Sequence, residues 1–310
     1  MPLPPLDPDA AAIAAATADL PPMRARGIAA IREALEAMPH PPGLPTAHIE
    51  DRELPGGIPV RIYRPVEDER APVLVYFHGG GMCMGTIHSF EPLARNLAAA
   101  SGATVVSVGY RLAPEHPPPA QFDDAYAATA WVAEHADELH VDPGRLAVVG
   151  DSAGGTLAAA VALAARDRGG PAIACQVLMY PGLDRDLGAR SITECADAPI
   201  LGRDDVLYLN ELADSGRGYP DNAYRIPAYA ADLTDLPPAI VVTADCDPIR
   251  DWGERYAHRL RESGVQTTLT RYPGAYHGFA LQAAYLVRGR LAIAEVGALL
   301  RAKFAHPLSF

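Results

Sequence analysis

Cysteine is scarce in this chain. Its four cysteines, Cys83, Cys175, Cys195 and Cys246, are widely spaced, and no C-x-x-C pair occurs. That spacing argues against a zinc or dithiol site, so no metal is expected and the thiols read as small buried hydrophobes. The start, Met1-Pro2-Leu3-Pro4-Pro5-Leu6-Asp7, lacks the basic residues and apolar core of a signal peptide. No apolar run approaches the roughly 20 residues of a membrane span. The expectation is a soluble, cytoplasmic protein with no membrane partner. Basic residues form no cluster, and 26 of them against 38 acidic ones give a net charge of −12. Nucleic acid is therefore not an expected partner, and the acidity reads as a solubility feature. Internal repeats and low-complexity segments are also absent.

What is present is an ordinary apolar fraction, 49%, in 310 residues, enough for one large α/β domain or two small ones. Residues 9–38 are alanine-rich and helical in pattern, with Ile13, Leu20, Ile28, Ile31 and Leu35 as an apolar face and a break at Pro21-Pro22. Pro39, Pro41, Pro42 and Pro45 then form a stiff linker. Strand patterns follow at 47–54, 58–64, 72–77, 103–109, 146–150, 173–179, 238–244 and 267–272. Helical patterns fall at 89–101, 120–138, 153–168, 250–263 and 280–303. The first two strands pair antiparallel through Gly56-Gly57. From residue 72 onward, apolar strands separated by helix-length crossovers predict a mostly parallel eight-stranded sheet flanked by helices, an α/β fold. Residues 184–226 carry a helical piece at 203–213 and no clear strand. With the N-terminal helices they are placed to lie over the carboxyl ends of the strands, where open α/β sheets bind ligands.

Gly150-Asp151-Ser152-Ala153-Gly154 lies between the buried run Leu146–Val149 and the helical run Gly155–Leu163. A G-x-S-x-G at a strand-to-helix turn is a nucleophile elbow: small neighbours permit the tight turn, and the serine hydroxyl stands beside helix N-terminal amides. The Ala153 amide, next in the chain, is one arm of an oxyanion hole.

A nucleophilic serine needs a base, and the base needs an acid to fix its tautomer. Of the histidines near or after the serine's helix, His258 reads as a solvated helix residue among Arg255, Arg259 and Arg261. His306 is near the end, and His140 precedes the elbow strand. His277 sits in a glycine-flanked loop after the last strand pattern and is the candidate base. Asp247 follows the strand pattern 238–244, with Asp245 and Asp251 as rivals for the acid. Asp245 also suits a turn, and Asp251 suits a first helical turn.

The segment His78-Gly79-Gly80-Gly81 follows the apolar run Val73–Phe77. Consecutive glycines leave backbone amides free to face a developing oxyanion. A phosphate loop requires a following lysine, which is missing. The dinucleotide fingerprint fails at Met84.

Together, Tyr76–Gly81, Gly109–Pro117, Gly150–Gly155, Asp247–Asp251 and His277-Gly278-Phe279 resemble the bacterial hormone-sensitive-lipase-like esterases, family IV of the α/β-hydrolases, in the branch with Asp before the serine. The resemblance runs from about residue 50 to the end. It implies an α/β-hydrolase fold with a helical cap: residues 1–45 as cap segment and linker, and 46–310 as catalytic domain, with 184–226 contributing to the cap. It implies Ser152, Asp247 and His277 as a catalytic triad, which settles the acid, and Gly80, Gly81 and Ala153 as oxyanion donors. His78 would brace the glycine loop, and Tyr110 to Pro117 would brace the site. The implied reaction is hydrolysis of short-chain acyl esters through an acyl-enzyme, with a small-molecule ester substrate and no metal or organic cofactor. Homodimers are a family-level expectation. Met82 and Cys246 depart from positions that are usually aromatic, and Met82 is a candidate substrate-binding residue that would alter acyl preference. The same triad would serve a deacetylase, lactonase or amidase. The similar gibberellin receptors lack the histidine, whereas His277 is present here.

Overall fold

A computed structural model describes residues 3–39, 41, 43–65, 70–217 and 219–307. Met1, Pro2 and, in the proline linker, Pro42 lie outside the described residues. The eight strands are β1 (His48–Leu54), β2 (Ile58–Arg64), β3 (Ala71–Phe77), β4 (Thr104–Val108), β5 (Val141–Asp151), β6 (Cys175–Met179), β7 (Ala239–Cys246) and β8 (Thr267–Tyr276). They form a single sheet in the order β1-β2-β4-β3-β5-β6-β7-β8. The pairs β1/β2 and β2/β4 are antiparallel, and every later pair is parallel. Leu54 faces Ile58 across the hairpin that carries Gly56-Gly57.

The alternation along β3 shows how the sheet is covered. Val73, Val75 and Phe77 enter one apolar cluster with Phe122, Val132, Leu157 and Val161. Leu74 and Tyr76 enter another, with Leu93, Leu97, Phe279 and Val296. These partners lie on α5 (Ala120–Glu134) and α6 (Ala153–Arg168) for the first cluster. For the second they lie on α4 (Glu91–Ser101), α10 (Val287–Ala305) and the turn before α10. Side chains of β3 from Val73 to Phe77 are wholly buried, each such burial being worth about 2 kcal/mol. The remaining sheet-covering helix is α9 (Arg250–Glu262).

The N-terminal region forms three helices, α1 (Pro8–Thr17), α2 (Met23–Arg26) and α3 (Ile28–Ala37). Gly27, at φ +76°, divides the last two, so there are three pieces rather than the two set by Pro21-Pro22. Ile31 is buried and Ile13 and Leu35 pack on the core. Leu20 lies in the turn after α1 and is 54% exposed, outside the expected apolar face. Residues 184–226 contain α7 (Arg190–Glu194), which the pattern did not reveal, and α8 (Arg203–Ala213), with no strand among the described residues. The segment meets the N-terminal helices: the Met23 amide donates to Asp205 at 3.3 Å, and Arg24 pairs with Glu211 at 2.7 Å.

Four boundaries differ from the sequence expectation by four residues or more, the first being α5, which ends at Glu134 rather than 138. β5 begins at Val141, because Ala71 pairs with Val141 before the register shifts. β8 continues through Pro273-Gly274 to Tyr276, pairing with Cys246 past an irregularity at Ala244/Cys246. The last helix begins at Val287 rather than 280; the Val287 amide donates to Asp9, a partner from the opposite end of the chain. Among the described residues no helix is long and apolar enough to cross a membrane.

Candidate active site

Three parallel strands end at one edge of the sheet and each delivers one polar residue: Ser152 after β5, Asp247 after β7 and His277 after β8. This is the strand-end location where α/β sheets place ligands. Ser152 adopts φ 54°, ψ −119°, a left-side conformation that costs a β-bearing residue about 1–3 kcal/mol. The surrounding glycines make it possible. A Cβ on Gly150 would lie 2.0 Å from the Gly154 carbonyl oxygen, and one on Gly154 would lie 1.9 Å from that of Phe77. The Ser152 amide donates to Met179 at 2.8 Å, so the elbow is tied to β6 while its hydroxyl projects.

His277 Nε2 is 2.7 Å from Ser152 Oγ, and His277 Nδ1 is 2.8 Å from Asp247 Oδ2. With the carboxylate accepting from Nδ1–H, Nε2 is left to accept the serine proton. Asp247 is fully buried, and its other oxygen accepts the Ile249 amide at 2.9 Å. The rival acids are engaged elsewhere. Asp245 faces Arg271 at 3.7 Å, and Asp251 accepts the Ser191 amide at 2.9 Å and Arg250 Nε at 2.9 Å. His140, His258 and His306 are exposed. Tyr180 meets the His277 ring edge-on, with centroids 5.2 Å apart.

The glycine loop reaches the same place. Gly80, Gly81, Met82, Ser152, Ala153 and His277 all line one cavity of about 1580 Å³. Gly80 and Gly81 belong to no helix or strand, and their amides have no acceptor among the described residues. Ala153 opens α6, where the first amides lack intrahelical partners. His78 stands behind the loop. It stacks on Tyr110 at 4.3 Å, its Nδ1 is 2.7 Å from the Gly79 carbonyl, and Tyr110 Oη donates to the His78 carbonyl at 2.7 Å. Burial pushes the His78 imidazole down to about 4.

Sequence reasoning gave Asp151 no task beyond marking a family branch. Its Oδ1 accepts both Tyr76 Oη at 2.7 Å and the Gly79 amide at 3.0 Å, joining the elbow to the glycine loop. Burial raises this carboxyl to about 6, against the opposing pull of the Tyr76 hydrogen bond and the His277 ring. The sequence places Tyr76 and Asp151 near the ends of two apolar strand patterns but does not show that those strands are neighbours, which the β3/β5 pairing does. Cys246, the other departure, donates its thiol to the Pro4 carbonyl at 3.1 Å.

A model of the alpha/beta hydrolase fold family matches residues 74–281. The chain belongs to the α/β-hydrolase family. Among α/β-hydrolases, carboxylesterase NlhH of Mycobacterium tuberculosis is 45% identical over 264 residues, 82% of this chain and 83% of the relative. The arylesterase of Saccharolobus solfataricus is 39% identical over 238 residues, 74% of each chain. The solved hyperthermophilic esterase from the archaeon Pyrobaculum calidifontis superposes with a TM-score of 0.87 at 39% identity, covering 96% of this chain and 98% of the other. The likeness to hormone-sensitive-lipase-like esterases read from the motifs thus holds across nearly the whole α/β-hydrolase chain.

Proposed function

We propose that Ser152, His277 and Asp247 are the nucleophile, base and acid of a serine carboxylesterase that works through an acyl-enzyme. The chain is a carboxylic ester hydrolase. What carries the reading is the unbroken Ser152–His277–Asp247 line, 2.7 and 2.8 Å between heavy atoms. Ser152 Oγ attacks the ester carbonyl carbon as its proton passes to His277 Nε2. The oxyanion is held by the amides of Gly80, Gly81 and Ala153. Collapse breaks the bond to the alcohol oxygen, which leaves with the proton from His277. Water then repeats the sequence, with His277 as base, and releases the acid.

In this reading residues 1–45 and 184–226 form a cap over the site, supported by the α2–α8 contacts and by the presence of Leu20, Met23, Leu35, Val206 and Leu209 among the cavity lining. Met82 faces the same cavity and contributes to acyl selection. Short acyl chains suit the room beside the oxyanion loop, where Leu209 presses so close that a Cβ at Gly81 would lie 2.9 Å from its Cδ1. Four unpaired thiols suit a reducing cytoplasm. The edge strand β8, which among the described residues pairs with β7 alone, offers a surface for a homodimer, which light scattering after size exclusion tests. The function itself is tested by kcat/KM on acyl esters of two to sixteen carbons beside matched amides. Hydrolysis of short esters, with amides slower by orders of magnitude, is expected. Turnover of amides alone would overturn the assignment.

A further inference from the structure

The turn after His78 runs through three consecutive positive φ angles, Gly80 at +110°, Gly81 at +61° and Met82 at +64°. A methionine in that region is strained, and a strained segment keeps its shape only if its surroundings over-determine it. Within the turn, the Cys83 and Met84 amides both donate to the Gly80 carbonyl, at 2.9 and 3.0 Å. The chain folds back so tightly that a Cβ on Gly80 would lie 2.1 Å from the Met84 carbonyl oxygen. Much of the outside restraint comes from α3, 51 residues before the turn's exit. Arg32, on α3, donates from Nε to the Cys83 carbonyl at 2.7 Å and from Nη2 to the Ala113 carbonyl at 2.8 Å. It also makes a two-pronged pair with Glu115, both bonds 2.8 Å. Four of the five N–H donors of a guanidinium are thereby used in its rigid plane. Ala113 in turn donates its amide to the Met82 carbonyl at 2.9 Å. One turn further along α3, Glu36 accepts the Thr86 hydroxyl at 2.8 Å.

We infer that Arg32 is a positioning residue for the oxyanion hole: it fixes the exit of the Gly80–Met84 turn, and so aims the Gly80 and Gly81 amides. The N-terminal segment then acts on the transition state as well as covering the substrate. The inference rests on the oxyanion role proposed above for these amides. Loss of the clamp lets the turn relax, which weakens binding of the tetrahedral oxyanion more than binding of the planar ester.

The test compares wild type, Arg32→Ala and Arg32→Lys by steady-state kinetics on a short ester and by inhibition with phenylboronic acid, which forms a tetrahedral adduct on an active serine. In Arg32→Ala, kcat should fall about 10- to 100-fold with KM within about threefold, the scale of losing part of an oxyanion hole. The boronate Ki should rise by the factor that kcat/KM falls. Added guanidinium should restore part of kcat, and Arg32→Lys should fall between the other two. If Arg32→Ala does not fold, Arg32→Lys alone carries the test, because it keeps the charge and loses the fork. A change in KM alone, or a loss of melting temperature with kcat and Ki unmoved, overturns the inference. Wild type separates the two layers. If wild type fails to bind boronate in competition with phosphonate labelling of Ser152, the oxyanion reading itself falls. If wild type binds it and the Arg32 variants bind it equally well, only the clamp falls.

Discussion

Tyr76 Oη donates a 2.7 Å hydrogen bond to Asp151 Oδ1, in the residue immediately before the elbow serine. The same oxygen holds the Gly79 amide, so one buried carboxyl joins the serine turn to the glycine loop. It also gives the fold a measurable pH signature.

Asp151 titrates in the folded protein at about 6, raised by burial from an ordinary 3.8. Between these values the folded state holds a proton that the unfolded chain has released. Its contribution is therefore present at low pH and is lost as pH rises through 6. His78 has the opposite sign. Lowered by burial from 6.5 to about 4, it contributes stability above 6.5 that is lost as pH falls through 4. Asp151→Asn removes the first effect alone, since an amide oxygen can still accept from Tyr76 and Gly79. The melting temperature of the variant minus that of wild type should be larger at pH 7 than at pH 4.5, by the equivalent of about 1–3 kcal/mol. A pH-independent difference would contradict the raised carboxyl.

The elbow tolerates no side chain at Gly154, where a Cβ would meet the Phe77 carbonyl oxygen at 1.9 Å. Gly154→Ala should cost more than about 3 kcal/mol, a fall in melting temperature of roughly 6 °C or more. Calorimetry checks this. A wild-type melting temperature would mean that the Gly154 and Phe77 backbones do not approach so closely.

The acid assignment is open to a three-way comparison. Asp247→Asn should lower kcat by about 10⁴-fold, by leaving His277 in the wrong tautomer. Asp245→Asn and Asp251→Asn should stay within about tenfold, their roles being structural. The reverse order would move the acid.

Removing residues 1–38 takes away α1 to α3, the Arg24–Glu211 pair and Arg32. The truncated chain should melt lower, show a raised KM and a reduced kcat, and keep Ser152 open to a small phosphonate. Unchanged kinetics on every acyl length, in a folded truncation, would remove the cap.

The strand-end chemistry was legible because it is local. Gly150–Gly154 between an apolar run and a helical run names its own turn, and His277 lies in a glycine-flanked loop after the last strand pattern. Choosing Asp247 over Asp245 and Asp251 needed either the family likeness or the fold, since all three suit the same loop. The Arg32, Asp9 and Asp151 contacts were not legible, because their partners lie 51 to 278 residues away. No periodicity records such pairings. The late start of α10 has the same origin, as its N-terminal amide is held by Asp9.

The central claim is that Ser152 is the nucleophile of an ester hydrolase, and active-site titration tests it most directly. A small alkyl phosphonate should inactivate the protein in step with one adduct per chain, which mass spectrometry of the digest should place on Ser152. Ser152→Ala should take no adduct, and its kcat should be about 10⁴-fold or more below wild type. An adduct on another residue, or a Ser152→Ala protein that still turns over short esters at the wild-type rate, would contradict the account.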